Sequence, residues 1–110
     1  LKEEYVKPLI DIPRMAKIAQ NIVRVALDLY VKRDVNMVES LIDMEEEIDH
    51  LYSQIFRELL VIMSENPRTI SQATQLLMVA RQLERIGDHS TNIGEMVIYL
   101  VTGKRIKLND

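Results

Sequence analysis

Cysteine is absent from the 110 residues, which excludes disulfides and thiolate metal sites and gives no sign of an oxidising compartment. Aromatic residues make up only 5% of the chain, and glycine and proline number three each. Beside an apolar content of 47% drawn mainly from Leu, Ile, Val and Met, that scarcity favours long helices over sheets. There is no basic excess either. A net charge of -3 and a pI near 5.4 leave no patch suited to nucleic acid. No apolar run approaches the roughly 20 residues of a membrane span, and no charged-then-apolar leader opens the chain. The expected class is a soluble, cytosolic, all-α domain with one core, since about a hundred residues suffice for one and not two. The chain starts on Leu1 rather than methionine, so it is expected to be cut from something longer.

Pro8 and Pro13 interrupt the opening pattern, and residues 1–13 read as an N-terminal linker. From Arg14 the apolar residues Met15, Ile18, Ala19, Ile22, Val25, Ala26 and Leu29 keep the three-four spacing of one helix face. This predicts a first helix over about 14–33. Asp34 is placed to cap a second helix over about 35–64. Its stripe runs Val38, Leu41, Ile42, Ile48, Tyr52, Ile55, Leu59, Ile62. "SENP" stops it. A third helix over about 70–102, with Thr69 or Ser71 as N-cap, carries Ala73, Leu76, Leu77, Ala80 and Leu83, then Ile98 and Val101, and stops at Gly103. The expected architecture is an antiparallel three-helix bundle over 14–103, with 104–110 a frayed tail without a motif.

Carboxylates interrupt two of these apolar stripes. Glu45 lies between Leu41 and Ile48, with Asp49 one turn on; Glu84 and Asp88 do the same in the third helix. Residues four apart stack on one helix face, so each pair points inward. The turn centres between Asn66 and Pro67, and residues equidistant from the turn of an antiparallel hairpin share a level. Glu45 is thereby matched with Asp88, and Asp49 with Glu84. Four facing carboxylates repel one another and lose hydration, at several kcal/mol per buried ion, unless a cation joins them or protons neutralise them. Oxygen-only ligands suit Mg, Mn, Ca or Fe, with Zn an alternative. Gly87 shares that face, and Gly94 repeats one heptad later. Each costs about 1 kcal/mol against alanine, which implies room for an ion or close helix approach. Asn92 continues the Glu84, Asp88 ladder as a candidate amide ligand. The plainer alternative is that Arg81 and Arg85 pair with Glu84 and Asp88 on the surface.

Other signals are weaker. Glu47-Ile48-Asp49-His50 matches the Glu-x-x-His motif of di-iron bundles, but it occurs once, and Glu47 lies about 200° round the helix from Glu45. His89 points about 100° away from the acid stripe and reads as a surface residue. Met15, Met44, Met63, Met78 and Met96 have core-compatible spacing and are expected to fill the interior. No nucleophile with a base at a recognisable spacing, no phosphate loop and no Ser elbow appears. No catalytic residue is assigned, and the chain is not expected to be an enzyme.

"ARQLERIGDHSTNIGE", Ala80 to Glu95, resembles the signature of the PhoU family of phosphate-signalling proteins. "EEEIDHLYSQIFRELL", from Glu45, is similar to the family's acidic helix. "YLVTGKRIK" is similar to the usual end of such chains, and "PLIDIPRMAKIAQ" to the start of their second repeat. The resemblance implies one three-helix repeat, the C-terminal one of two. It implies multinuclear iron or other divalent metal (Fe, Mn, Mg or Zn) held by Glu45, Asp49, Glu84 and Asp88. It also implies a negative regulator of phosphate uptake and the phosphate-starvation response, cytoplasmic or peripheral at the inner face of the membrane. Its partners would be a phosphate ABC transporter ATPase and a membrane sensor kinase. The missing repeat leaves apolar surface for which a second copy is the natural cover, so a homodimer or higher oligomer is expected. Two alternatives stay open: a PhoU-like domain of a transporter or transcription factor, and a di-iron redox protein.

Overall fold

The computed structural model describes residues 6–108, with side-chain surroundings from residue 10 onward. Three helices, α1 (Val6–Lys32), α2 (Val38–Glu65) and α3 (Ile70–Thr102), each pack against both others. They form a rod with extents of 52 × 21 × 17 Å, its length that of α3 at about 1.5 Å per residue. No strand occurs among the described residues. No described helix is long and apolar enough to cross a membrane.

The core follows the predicted stripes. Met15, Ala19, Ile22, Ala26 and Leu29 of α1 are buried against Leu41, Ile48, Ile55 and Leu59 of α2 and Ala73, Ala80, Val97 and Ile98 of α3. Each large side chain buried there is worth about 1.5–3 kcal/mol. The contribution of α3 is unusual in size. Between Ala80 and Val97 its buried positions are Gly87, Ser90, Thr91 and Gly94. The two hydroxyls donate to carbonyls of their own helix, Ser90 to Ile86 and Thr91 to Asp88, each at 2.8 Å. They therefore behave as small, satisfied side chains that let α2 come close.

Four expectations need correction. The linker over 1–13 is helical from Val6; residues 1–5 of it lie outside the described residues. Pro8 occupies the first turn, where the backbone N–H has no intrahelical partner to lose. Pro13 sits inside α1 and gives up one hydrogen bond, against which stands the burial of Asp11 and Met15 on either side of it. The N-cap hydrogen bond of the hairpin comes from neither Thr69 nor Ser71. Asn66 accepts from the Arg68 N–H at 3.2 Å and starts a 3-10 turn, Pro67–Thr69, that leads into α3. The Thr69 hydroxyl instead donates back to the Asn66 carbonyl at 2.7 Å. Val101 is exposed, as are Met78 and Met96, because they lie on the outer side of α3, away from both neighbours. Asp34 does cap as expected, though through a 3-10 turn, Val35–Met37, by accepting from the Asn36 N–H at 3.0 Å.

The tail over 104–110 is not frayed where it is described; residues 109 and 110 lie outside that range. Gly103 adopts φ 75 and reverses the chain, a left-handed conformation that glycine takes without Cβ strain. The Leu108 N–H then donates to Glu95 Oε2 at 2.8 Å, and the Leu108 side chain packs on the core beside Gly94. A Cβ on Gly94 would lie 2.6 Å from Leu41 Cδ1 and 3.1 Å from Leu108 Cδ1. Leu108→Ala is expected to cost about 1–2 kcal/mol, measured as a lower urea midpoint at unchanged slope.

Candidate metal centre

The register of the α2/α3 hairpin follows from its compact turn, in which Asn66 closes α2 by donating its N–H to the Ile62 carbonyl at 3.0 Å. Carried down five turns, it brings Glu45, Asp49 and Asp88 together, with one carboxylate oxygen of each within 4.8 Å of the others. Glu84 adjoins this group through Asp49. Glu45 is the innermost, 3% exposed, while Asp49, Glu84 and Asp88 are half-buried.

Gly87 explains how Glu45 fits. A Cβ there would stand 2.9 Å from Glu45 Oε2 and 3.2 Å from Ile48 Cδ1. The missing side chain therefore opens the slot that the carboxylate occupies. Any larger residue would push it toward the other acids.

The electrostatics are those of crowded carboxylates. Burial, then the neighbouring Asp88 and Asp49, push Glu45 from its ordinary value of 4.5 to about 9. Burial also raises Asp49, reinforced by the Asp88 charge and opposed by bonds from Glu45 and Glu84. Glu84 is raised by burial and by Asp49 and Asp88, with Arg81 pulling it back only in part. Neither oxygen of Glu45 meets a hydrogen-bond donor when all the acids are ionised. A proton held between Glu45 and Asp88 or Asp49 supplies one, so the metal-free cluster keeps at least one proton at neutral pH. A hard cation answers the same need. Two orphaned buried oxygens beside two further carboxylates form an all-oxygen donor set of the kind such ions take.

The remaining candidates lie elsewhere. Asn92 is exposed and lines a separate groove with Glu95, Met96, Tyr99, Arg105 and Ile106. The ladder that extrapolated it from Asp88 ignores that four residues advance a helix by 400°, so each step drifts outward. Glu47, His50 and His89 are all exposed. Glu95 was not singled out in the sequence; its task of holding Leu108 arises from a chain reversal that no periodicity announces.

Fold and site together define a three-helix domain with an interhelical carboxylate cluster on α2 and α3. Residues 12–97 match the PhoU domain, and the chain belongs to that family. It is 42% identical over 100 residues to the phosphate-specific transport system accessory protein PhoU homolog of Clostridium acetobutylicum. That alignment covers 91% of this chain and 46% of the relative. The homolog of the same name from Deinococcus radiodurans is 47% identical over 92 residues, 84% of this chain and 41% of its own length. The one from Caulobacter vibrioides is 44% identical over 95 residues, 86% and 41%. The chain thus spans less than half the length of these curated relatives.

Proposed function

We propose that this chain is a metal-binding regulatory domain of phosphate uptake and phosphate-starvation signalling, and that it does no catalysis. The observation that carries the reading is Glu45, whose two buried oxygens lack a donor beside Asp49 and Asp88. It occurs in a family whose curated relatives are named accessory proteins of the phosphate-specific transport system. Glu45, Asp49 and Asp88 would hold an Fe, Mn, Mg or Zn ion, with Glu84 at the edge of the same cluster where a second ion would bind. Bound there, the cation would supply the positive charge that lets the carboxylates ionise together. The chain's own part is to hold acids from two helices in register, so that the closeness of α2 and α3 depends on the charge between them. The parent protein would act as a negative regulator with a phosphate ABC transporter and a membrane sensor kinase, on the cytoplasmic side.

Elemental analysis by mass spectrometry of protein purified without chelator tests the metal. Stoichiometric Fe, Mn or Zn that disappears in Glu84→Ala/Asp88→Ala is the expected result. No metal in the parent chain after incubation with each ion would end the reading. Self-association follows from the apolar side chains left on the surface, among them Val31 at 75% exposure and Leu60 at 46%. Light scattering at high concentration is expected to give the mass of a dimer, and a monomer would remove that part of the proposal.

A further inference from the structure

One side of the rod is unlike the rest. Between α1 and α3 runs a groove of about 420 Å³ lined by Ala16, Ala19, Gln20, Val23, Leu83 and Ile86. Its floor is made of alanines, Ala19 being 2% exposed, and its walls are branched. Leu27, one turn beyond Val23, and Val79, one turn before Leu83, are both about half exposed and extend it along the bundle. The rim is exposed and polar: Lys17 and Arg24 on α1, Gln82 and His89 on α3.

No carboxylate among the described residues lies on this side. Asp11 is buried, and Asp28 falls on the opposite flank of α1, in one stripe with Asn21 and Val25. Glu84 and Asp88 are turned to the acid cluster, and Glu95 holds Leu108. The exposed acids gather on α2 at Glu39, Asp43, Glu46 and Glu47. A chain of net charge -3 therefore keeps one apolar groove bordered by cations and neutral groups alone.

We infer that this groove docks an amphipathic helix of a partner protein, one whose apolar stripe is flanked by carboxylates. Three features select that occupant. A recessed alanine floor between branched walls is a hole for the side-chain knobs of a helix, spaced i, i+4, i+7. A planar bilayer would not reach down to Ala19. A second copy seated on the same face would set Lys17 and Arg24 against their own equivalents, an unfavourable juxtaposition of like charge. Acidic flanks on the incoming helix meet the rim with opposite charge. The dimer proposed above would therefore use other apolar residues.

The test uses the whole chain and two dye-labelled synthetic peptides of about three heptads, with leucine at the core positions and either glutamate or lysine at the flanks. Fluorescence anisotropy is expected to show saturable binding of the glutamate-flanked peptide and at least tenfold weaker binding of the other. Val23→Lys or Ile86→Lys should each weaken binding tenfold or more, with helicity by circular dichroism unchanged. Lys17→Glu/Arg24→Glu, both on the exposed rim, should reverse the preference between the peptides, whatever the groove variants do to folding. Glu84→Ala/Asp88→Ala should leave binding unaltered, which separates this site from the metal centre. Equal binding of both peptides, or binding indifferent to Val23→Lys, would overturn the inference. So would a dimer in sedimentation that Val23→Lys dissociates, or flotation with phosphatidylglycerol vesicles that the same substitution abolishes.

Discussion

Glu45→Gln is expected to make the metal-free protein more stable at pH 7.5 and to abolish its stabilisation by metal. In the folded chain Glu45 keeps its proton up to about pH 9, whereas in the unfolded chain it releases it near 4.5. At pH 7.5 folding must therefore take up a proton that the solution barely supplies. Glutamine is neutral without one, fits the slot above Gly87, and can donate to Asp49 or Asp88. The expected gain is on the order of a few kcal/mol, or some 10 °C or more in Tm for a domain of this size. At pH 4 the gain should vanish, because the glutamate is then protonated in both states. Removing one carboxylate from the donor set should also cancel the thermal shift given by Mn at saturation, itself about 3 kcal/mol at a hundred times Kd. Differential scanning fluorimetry with and without Mn reads both effects. A variant less stable than its parent at pH 7.5 and equally responsive to Mn would place Glu45 outside the site.

The second large effect is an inverted pH profile. Glu45, Asp49 and Glu84 are all raised in the fold, so the folded state binds more protons than the unfolded one. The stability these groups permit is complete below the unfolded carboxylate range, near pH 4. It falls as pH rises toward about 9, the folded value of Glu45. The slope is on the order of 1 kcal/mol per pH unit where one proton separates the two states. Most proteins with ion-paired carboxylates behave in the opposite sense and lose stability in acid. With metal bound, the ligands are deprotonated in the folded state and the dependence should turn over, stability rising from pH 5 to 8. Urea midpoints at pH 5, 6.5 and 8, with chelator and with Mn, distinguish the two regimes. A profile that rises with pH in chelator would mean that cations such as Arg81 dominate the cluster.

The juxtaposition of Glu45, Asp49 and Asp88 was legible because it depends on only two rules, the stacking of residues four apart and the shared level of residues equidistant from a hairpin turn. Those rules hold wherever a turn is compact, and Asn66 and Pro67 make this one so. Gly87 could be read as a spacer for the same reason, though not which side chain it would admit. Asn92 failed because stacking by fours drifts. The α1 boundary failed because a proline was weighed without the burial of Asp11 and Met15 that stands against it, and tertiary packing overrides local propensity. The docked tail was invisible, since a single leucine after a reversal carries no period. The α1/α3 groove needed the helix order in space before the alignment of Lys17 and Arg24 along one edge had meaning.

That tail has a practical use. Between the reversal at Gly103 and the anchor at Leu108 lie Lys104, Arg105 and Lys107, all exposed, and each is a bond that trypsin recognises. A protease needs several residues in an extended, pliable run, which a strap pinned at both ends resists. Cleavage in this stretch therefore clocks how often Leu108 leaves its seat beside Gly94, and so gives a benchtop readout of breathing at this end of the bundle without any label.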